Sequence, residues 1–344
     1  MVISAGEPAP WFRADTPSLN QFSFSAAGGR YVLLLFAPPE ADIRQALIDR
    51  VLSLPRPPDD QHLSFMIVLG AREPVQDRLP GLRWFFDTDQ SIASAYGVEA
   101  CPQWILLDPA LRVLATATLD ETETLLARVA ALPQVNDHAG TPLVAPVLIV
   151  PRVFEVPFCR TLIDHYQAIG GTPSGVMVEV DGQTVGVRDH TKSRRDVLIA
   201  DEALKSQIRA RLQRRLLPEI EKAFRFKTTR LERYLVAAYN AEEGGFFQAH
   251  RDNTTGGTAH RRFACSINLN AEEFEGGDVV FPEFGDHRYR PPTGGAVVFS
   301  CSLLHEATPV TRGTRFAFLP FLYDEAAAKI RDAYLAQNPE GKDS

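Results

Sequence analysis

FFQAHRDN (246–253) and LLHEATPVTRGTR (303–315) are the two stretches that decide how this chain is read. The first has aromatic residues before it and the turn residues Thr254, Thr255, Gly256 and Gly257 after it, so it reads as a strand end. Residues two apart in a strand point to the same face. His250 and Asp252 therefore project together, and Arg251 points away. One imidazole and one carboxylate suit a divalent first-row metal but leave it short of ligands. His305 follows the apolar run AVVFSCSLL and can sit on a neighbouring strand of a closed sheet, which would bring a third ligand.

Two histidines and a carboxylate on one face of an octahedron, with the other positions open, is the arrangement of non-haem Fe(II) oxygenases. HxD alone is a weak signal; its context strengthens it. Arg315 opens RFAFLPFLYD, where Arg315, Ala317, Leu319 and Phe321 share one face by alternation. A buried arginine is costly unless it meets an anion, and a bidentate carboxylate is its natural partner. Iron ligands beside such an arginine point to an acid cosubstrate that also chelates the metal.

Residues 232–323 resemble the catalytic core of the Fe(II)/2-oxoglutarate-dependent oxygenases of the prolyl 4-hydroxylase-like group. The pieces that carry the likeness are YLVAAYNAEEGGFFQAHRDN, FEGGDVVFPEFG and PPTGGAVVFSCSLLHEATPVTRGTRFAF. The resemblance implies a double-stranded β-helix (jelly-roll) domain and a dioxygenase. It would use Fe(II), 2-oxoglutarate and O2, with ascorbate as reductant. It would hydroxylate an aliphatic carbon of a peptide, protein or small-molecule substrate, releasing succinate and CO2. By the same likeness His250, Asp252 and His305 are the catalytic metal ligands. Arg315 pairs the far carboxylate of 2-oxoglutarate, and the Tyr239 hydroxyl supports it. Many relatives carry a tyrosine three residues before the first ligand; here that position is Phe247.

The chain of 344 residues favours two domains, and 45% hydrophobic with 23% charged residues is ordinary for a globular protein. A net charge of −7 and a pI near 5.7 argue against nucleic-acid binding. MVISAGEPAPWFRAD has no basic head before an apolar run, and no run approaches the roughly 18 residues that span a bilayer, so neither a secretory signal nor a membrane partner is expected. Cys101, Cys159, Cys265 and Cys301 are scattered and form no CxxC. A reduced, cytoplasmic setting is the expectation.

Residues 1–134 read as α/β: YVLLLF and LSFMIVL as continuous apolar strands of a parallel layer, with helices between strands. GEPAPWF, YVLLLFAP and AYGVEACPQWILLDP are similar to the peroxiredoxin-like branch of the thioredoxin-like fold. That likeness makes Pro102 a cis-proline. It places a reactive cysteine after the central strand, where this chain has FAPPEADIRQ and no cysteine. The domain is expected to be a redox-inactive scaffold, or a surface on which a protein partner docks. Cys101 is its only thiol, and a lone thiol is more often inert than redox-active.

Residues 135–145 read as a linker, 146–327 as the dioxygenase domain and 328–344 as a C-terminal helix and tail. DEALKSQIRARLQRRLLPEIEKAF (201–224) reads as one long helix with Arg209, Arg211, Arg214 and Arg215 on its wet face. His190, Arg194 and Arg195, in a basic stretch that could border the site mouth, are substrate-contact candidates, set against a solvated loop. Asn268 shares a face with Ala264 and Ser266 and could touch the cosubstrate. His260 and His287 read as loop histidines without partner spacing. Two other classes stay open: a thiol peroxidase or disulfide oxidoreductase, and a non-catalytic module that senses 2-oxoglutarate or iron.

Overall fold

In the computed structural model the described residues are 3–98, 102–180 and 182–338. Cys101 lies outside them, and with it the Cys101–Pro102 bond for which the cis form is expected. The contacts divide the chain into two units, Met1–Ala145 with Phe281–Asp286, and Pro146–Val280 with His287–Ser344. The expected linker goes with the first unit. Val135 and Leu132 pack on its core and Ala145 is buried, so this stretch is held rather than free.

The first unit is a five-stranded sheet in the order β3-β2-β1-β4-β5. Its strands are β1 Tyr31–Phe36, β2 Leu63–Leu69, β3 Leu82–Phe86, β4 Gln103–Leu107 and β5 Val113–Thr118. The first three are parallel, as expected for YVLLLF and LSFMIVL, and β4 and β5 add antiparallel pairings. The cause is local. Asp108 accepts hydrogen bonds from the backbone of Ala110 and Arg112 and closes a tight turn between β4 and β5. Alternate residues of β1 feed opposite cores. Tyr31, Leu33 and Leu35 pack towards α1 (Ala41–Leu52) and α3 (Thr122–Ala130), while Val32, Leu34 and Phe36 pack towards Phe24 and α2 (Ser91–Tyr96).

The second unit is mainly β, with helices on one face. A short strand β6 (Leu148–Val150) precedes α4 (Val156–Ile169). A hairpin follows, β7 Val176–Val180 with β8 Gln183–Val187, then β9 Lys192–Ser193 and β10 Arg195–Leu198. The long helix is in fact two, α5 Glu202–Arg215 and α6 Leu217–Phe224. Pro218 cannot donate to the preceding turn and starts the second helix. Arg211 and Arg215 are not simply solvated either. Both bind Glu155 at the start of α4, and their hydrogen bonds, Arg215 first, bring its carboxyl down to about 2.

The strands that frame the interior are β11 Arg230–Glu232, β12 Leu235–Asn240, β13 Phe246–His250, β14 Phe263–Asn268, β15 Val279–Val280, β16 Arg288–Tyr289, β17 Ala296–Ser300, β18 His305–Ala307, β19 Thr314–Phe318 and β20 Phe321–Tyr323, besides short pairings at Thr172–Pro173, Glu275–Gly276 and Val310–Arg312. In the larger sheet β17 lies between β6 and β14, β14 pairs with both β19 and β20, β19 pairs with β12 and β20 with β11, and β12 continues to β10. The smaller sheet runs β9-β13-β18-β15-β16. Two breaks were not expected. Arg233, at φ +50, separates β11 from β12. Pro320, which has no N–H for the ladder, separates β19 from β20, so the alternation from Arg315 ends before Phe321. The closing helix α7 begins at Glu325, earlier than 328, because Asp324 caps it by accepting from Ala327 N.

The larger sheet has two unlike faces. Cys265, Ile267, Val298 and Phe318 pack outward on Phe158, Leu162, Ile208 and Ile220 of the helices. Burying each such side chain contributes about 1.5–3 kcal/mol, so this seam carries the stability of the unit. The inward face holds Tyr239, Ser266, Asn268 and Arg315, and across from it Ala307 of the smaller sheet packs with Tyr239 and Ala237.

Candidate active site

His250 and His305 are register partners on β13 and β18. Asp252 lies just past the end of β13, in a turn held by its N–H donating to Cys301 O. The ligand atoms of the three residues all fall within 4.8 Å of one another. Asp252 Oδ1 stands 3.6 Å from His250 Nε2, and Oδ2 stands 3.3 Å from His305 Nε2. Around a first-row cation with bonds of about 2.1 Å, neighbouring ligands at right angles stand about 3 Å apart, so little movement is needed to hold one.

Each histidine uses Nδ1 on the backbone carbonyl two residues earlier, Gln248 O at 2.8 Å and Leu303 O at 3.0 Å. A carbonyl only accepts, so Nδ1 carries the proton and the Nε2 lone pair is left for a metal. Burial, with His250 alongside, brings His305 down to about 4, which keeps it neutral at ordinary pH. Burial works against the Asp252 carboxylate, but His305 and His250 outweigh it and hold its pKa below the usual range. The Phe247 ring stacks on His250 at 3.5 Å, and Phe299 lies 4.5 Å from His305. In this chain the position of the relatives' tyrosine is a platform for the ligand ring.

Arg315 projects inward from β19, paired in register with Tyr239 on β12. Its Nη2 donates to Ser266 Oγ at 2.7 Å and its Nε to Asn268 Oδ1 at 3.3 Å, while the guanidinium lies 5.2 Å from the Tyr239 ring. It makes no ion pair among the described residues. Asp278, a carboxylate that acts on it through space, is engaged by Arg290 at 2.6 Å. Asn268 therefore orients Arg315, and its own amide is tied to Pro291 O. Gly277, at φ +65, allows the approach: a Cβ there would stand 3.0 Å from Arg315 Cδ.

The basic stretch 190–195 separates into different roles. His190 is exposed, and Arg195 donates to Gly171 O. Arg194 is buried, paired with Asp196 at 2.6 Å and 3.4 Å from the Tyr239 hydroxyl. Lys192, which sequence reasoning did not single out, donates to Ser174 Oγ and Gly175 O and lies 4.7 Å from the centre of the Phe247 ring. Burial, with Arg194 and Arg233 adding repulsion, presses its pKa down to about 6. Lys192 sits on a two-residue strand and Asp196 on the next, with Arg194 between them, so no run long enough to show a period marks Lys192 in the sequence.

His260 lies in a turn, as expected, but it is not without a partner. It is buried and meets Glu232 at 2.7 Å, and Arg261 grips the same carboxylate at 2.6 Å. Burial alone would raise Glu232, but the bond from His260 and the charge of Arg261 outweigh it and hold the pKa well below the ordinary range. Arg261 also donates to Asp252 O at 3.3 Å, so this cluster braces the turn that carries the carboxylate ligand. Cys159, Cys265 and Cys301 are free and buried, and burial raises all three thiols.

Residues 234–323 match the 2OG-Fe(II) oxygenase superfamily, so the chain carries a 2OG-Fe(II) oxygenase domain. Its relatives include a PKHD-type hydroxylase of Cupriavidus metallidurans, 37% identical over 95 residues, which are 25% of this chain and 42% of that protein. Another, of Paracoccus denitrificans, is 36% identical over 22% of this chain and 37% of its own length. The chain thus spans less than half the length of these relatives. Among solved structures, a Pseudomonas putida prolyl-4-hydroxylase is similar at 20% identity and a TM-score of 0.41, covering 57% of this chain and 99% of that one. A prolyl hydroxylase from Trichoplax adhaerens, in complex with a hypoxia inducible factor peptide, is similar at 15% identity and a TM-score of 0.42, covering 63% and 97%.

Proposed function

We propose that this chain is an Fe(II)- and 2-oxoglutarate-dependent dioxygenase that hydroxylates an aliphatic carbon, with release of succinate and CO2. The observation that carries this is the pairing of two features in one interior: three convergent ligand atoms, and a buried arginine with no carboxylate of its own. His250 Nε2, His305 Nε2 and an Asp252 oxygen would hold Fe(II), which supplies the activation of O2. Arg315 would pair the far carboxylate of 2-oxoglutarate, with Tyr239 beside it and Ser266 and Asn268 fixing the guanidinium. Phe247 and Phe299 pack against the two histidine rings. Ascorbate would serve as reductant.

The first unit, in this proposal, is a thioredoxin-like scaffold without redox chemistry and a docking surface for a protein partner. The order β3-β2-β1-β4-β5 supports the fold, and the cysteine-free FAPPEADIRQ after β1 supports the inactivity. The reading places the protein in the cytoplasm. Three free thiols are compatible with that, and no helix among the described residues is long and apolar enough to cross a membrane. The relatives' name, PKHD-type hydroxylase, favours a hydroxylase, and the substrate in this proposal is a prolyl peptide or protein or a small metabolite, since a fold does not fix a substrate.

The test is succinate release by purified protein given Fe(II), 2-oxoglutarate, O2 and ascorbate. A slow uncoupled turnover is expected even without primary substrate, lost in Asp252→Ala. Absence of 2-oxoglutarate binding to the metal-loaded protein would sink the proposal. Thiol-dependent peroxide consumption that survives Asp252→Ala would move the activity to the first unit.

A further inference from the structure

Two cations in this interior are not accounted for by the cosubstrate. Arg194 has its carboxylate, Asp196. Lys192 has only neutral acceptors, Ser174 Oγ at 2.8 Å and Gly175 O at 2.6 Å, and the Phe247 ring. Arg233 lies over the Phe321 ring at 4.5 Å, and its Nε is buried without a hydrogen-bond partner. Neither forms an ion pair among the described residues. Arg194 repels both and Arg261 repels Arg233, while the carboxylates that act on them through space are already paired, Asp196 by Arg194 and Glu232 by Arg261 and His260. Lys192 also feels the Asp252 carboxylate, and its contact with the ring that stacks on His250 sets it beside the proposed metal. Arg194 also acts on Arg315, whose attractive neighbours are Tyr239 and Asp278.

Half-buried cations lacking an anion are unfavourable as they stand. Arg233 is moreover held at φ +50, a conformation that costs any residue but glycine and that collects at functional positions. Phe247 connects the pair to the centre, touching Lys192 on one side and stacking on His250 on the other.

We infer that Lys192 and Arg233 form a receptor for a carboxylate of the primary substrate, which is then a small aliphatic acid. The inference rests on the dioxygenase reading and narrows its substrate class. A carboxylate seated there would pair both cations and offset the burial and repulsion that press Lys192 towards its neutral form. Only one aromatic ring separates Lys192 from His250, so a few carbon atoms would link that carboxylate to the carbon that is oxidised.

The test uses full-length protein saturated with Mn(II) and 2-oxoglutarate, so that the Arg315 end is already filled. Pentanoate and its uncharged partner pentanamide are then titrated while the thermal midpoint is followed. Pentanoate should raise the midpoint and pentanamide should not. Lys192→Gln and Arg233→Gln should each weaken the pentanoate response by about tenfold or more, the size of a lost charged hydrogen bond. Lys192→Arg and Arg233→Lys, which keep the charge, should retain most of it and guard against misfolding. Equal response to acid and amide, no response to either, or an undiminished response in both glutamine variants would overturn the receptor. So would a loss of 2-oxoglutarate affinity in Lys192→Gln as large as in Arg315→Gln, since the lysine would then belong to the cosubstrate site. Because 2-oxoglutarate is titrated before the acid, failure of the dioxygenase reading is seen separately, as wild type that binds no 2-oxoglutarate.

Discussion

β1 of the first unit and β14 of the second are both six-residue strands inside their sheets, and both are almost wholly buried. β1 reads YVLLLF and puts an apolar core on each side. β14 reads FACSIN, apolar towards the helices and polar towards Arg315. Burial is the same; only the second strand spends one of its buried faces on groups that must find partners. A sheet buried on both sides by apolar residues is a scaffold, whereas one that shelters serine, asparagine and arginine on one side holds a place for a ligand.

Substitutions can break or sharpen this contrast. The largest effect is expected for Asp252→Ala. Loss of a partner to a ligating group already costs 10–100-fold, so removing the ligand itself should lower Fe(II) affinity and succinate release by at least about a hundredfold, with the far-ultraviolet circular dichroism unchanged. A variant that retains most turnover, or that unfolds, would remove the distinction between a site face and a structural face.

Arg315→Ala comes next. It would leave the far carboxylate of 2-oxoglutarate desolvated and unpaired, at a cost of roughly 2–5 kcal/mol, or on the order of 30- to several-thousand-fold in affinity. Fe(II) affinity should barely move. Arg315→Lys should keep part of the binding, having the charge without the planar fork. Arg312, exposed and paired with Glu275, is the control. A larger loss in Arg312→Ala than in Arg315→Ala, in separate titrations of metal and 2-oxoglutarate, would refute the assignment.

Leu34→Ala makes the opposite substitution, in the scaffold strand. A cavity at this fully buried position should cost about 2–5 kcal/mol of stability. Denaturant unfolding should show that loss while 2-oxoglutarate affinity under native conditions stays at the wild-type value. A change in that affinity would show that the first unit does more than support.

The smallest effect concerns the brace behind Asp252. Glu232 has a lowered pKa in the folded state, so its contribution is fully present above the unfolded value of about 4.3 and is lost as pH falls below it. The stability difference between wild type and Glu232→Gln should therefore be constant from pH 8 to about 5 and shrink on further acidification. Thermal midpoints across that range measure it, and a difference that grows in acid would contradict the pairing with Arg261 and His260.

The convergence of His250, Asp252 and His305 was legible because it rests on short-range geometry: a two-residue period and a strand long enough to pair. The sheet-facing residues of α4, Phe158, Leu162 and Ile163, are legible from their helical spacing for the same reason. What escaped depends on partners distant in sequence. Nothing near His260 announces Glu232, 28 residues away, and nothing near Lys192 announces Phe247. The broken strands also hid information. Arg233 occupies a bend no propensity favours, and the two-residue β9 is too short for a period to be recognised. The division of 201–224 into two helices, by contrast, was written in Pro218 and could have been read.

Each histidine of the triad donates its orienting hydrogen bond to the main chain two residues back, on its own segment. The acceptor is common to all twenty amino acids, so no replacement of Gln248 or Leu303 deletes it. Tautomer choice at this centre is thereby insulated from mutational drift, unlike in sites where a carboxylate side chain fixes the imidazole. Evolution, or an engineer, could retune these imidazoles mainly through what lies against their faces, Phe247 and Phe299. Those two rings are the adjustable parts of an otherwise hard-wired centre.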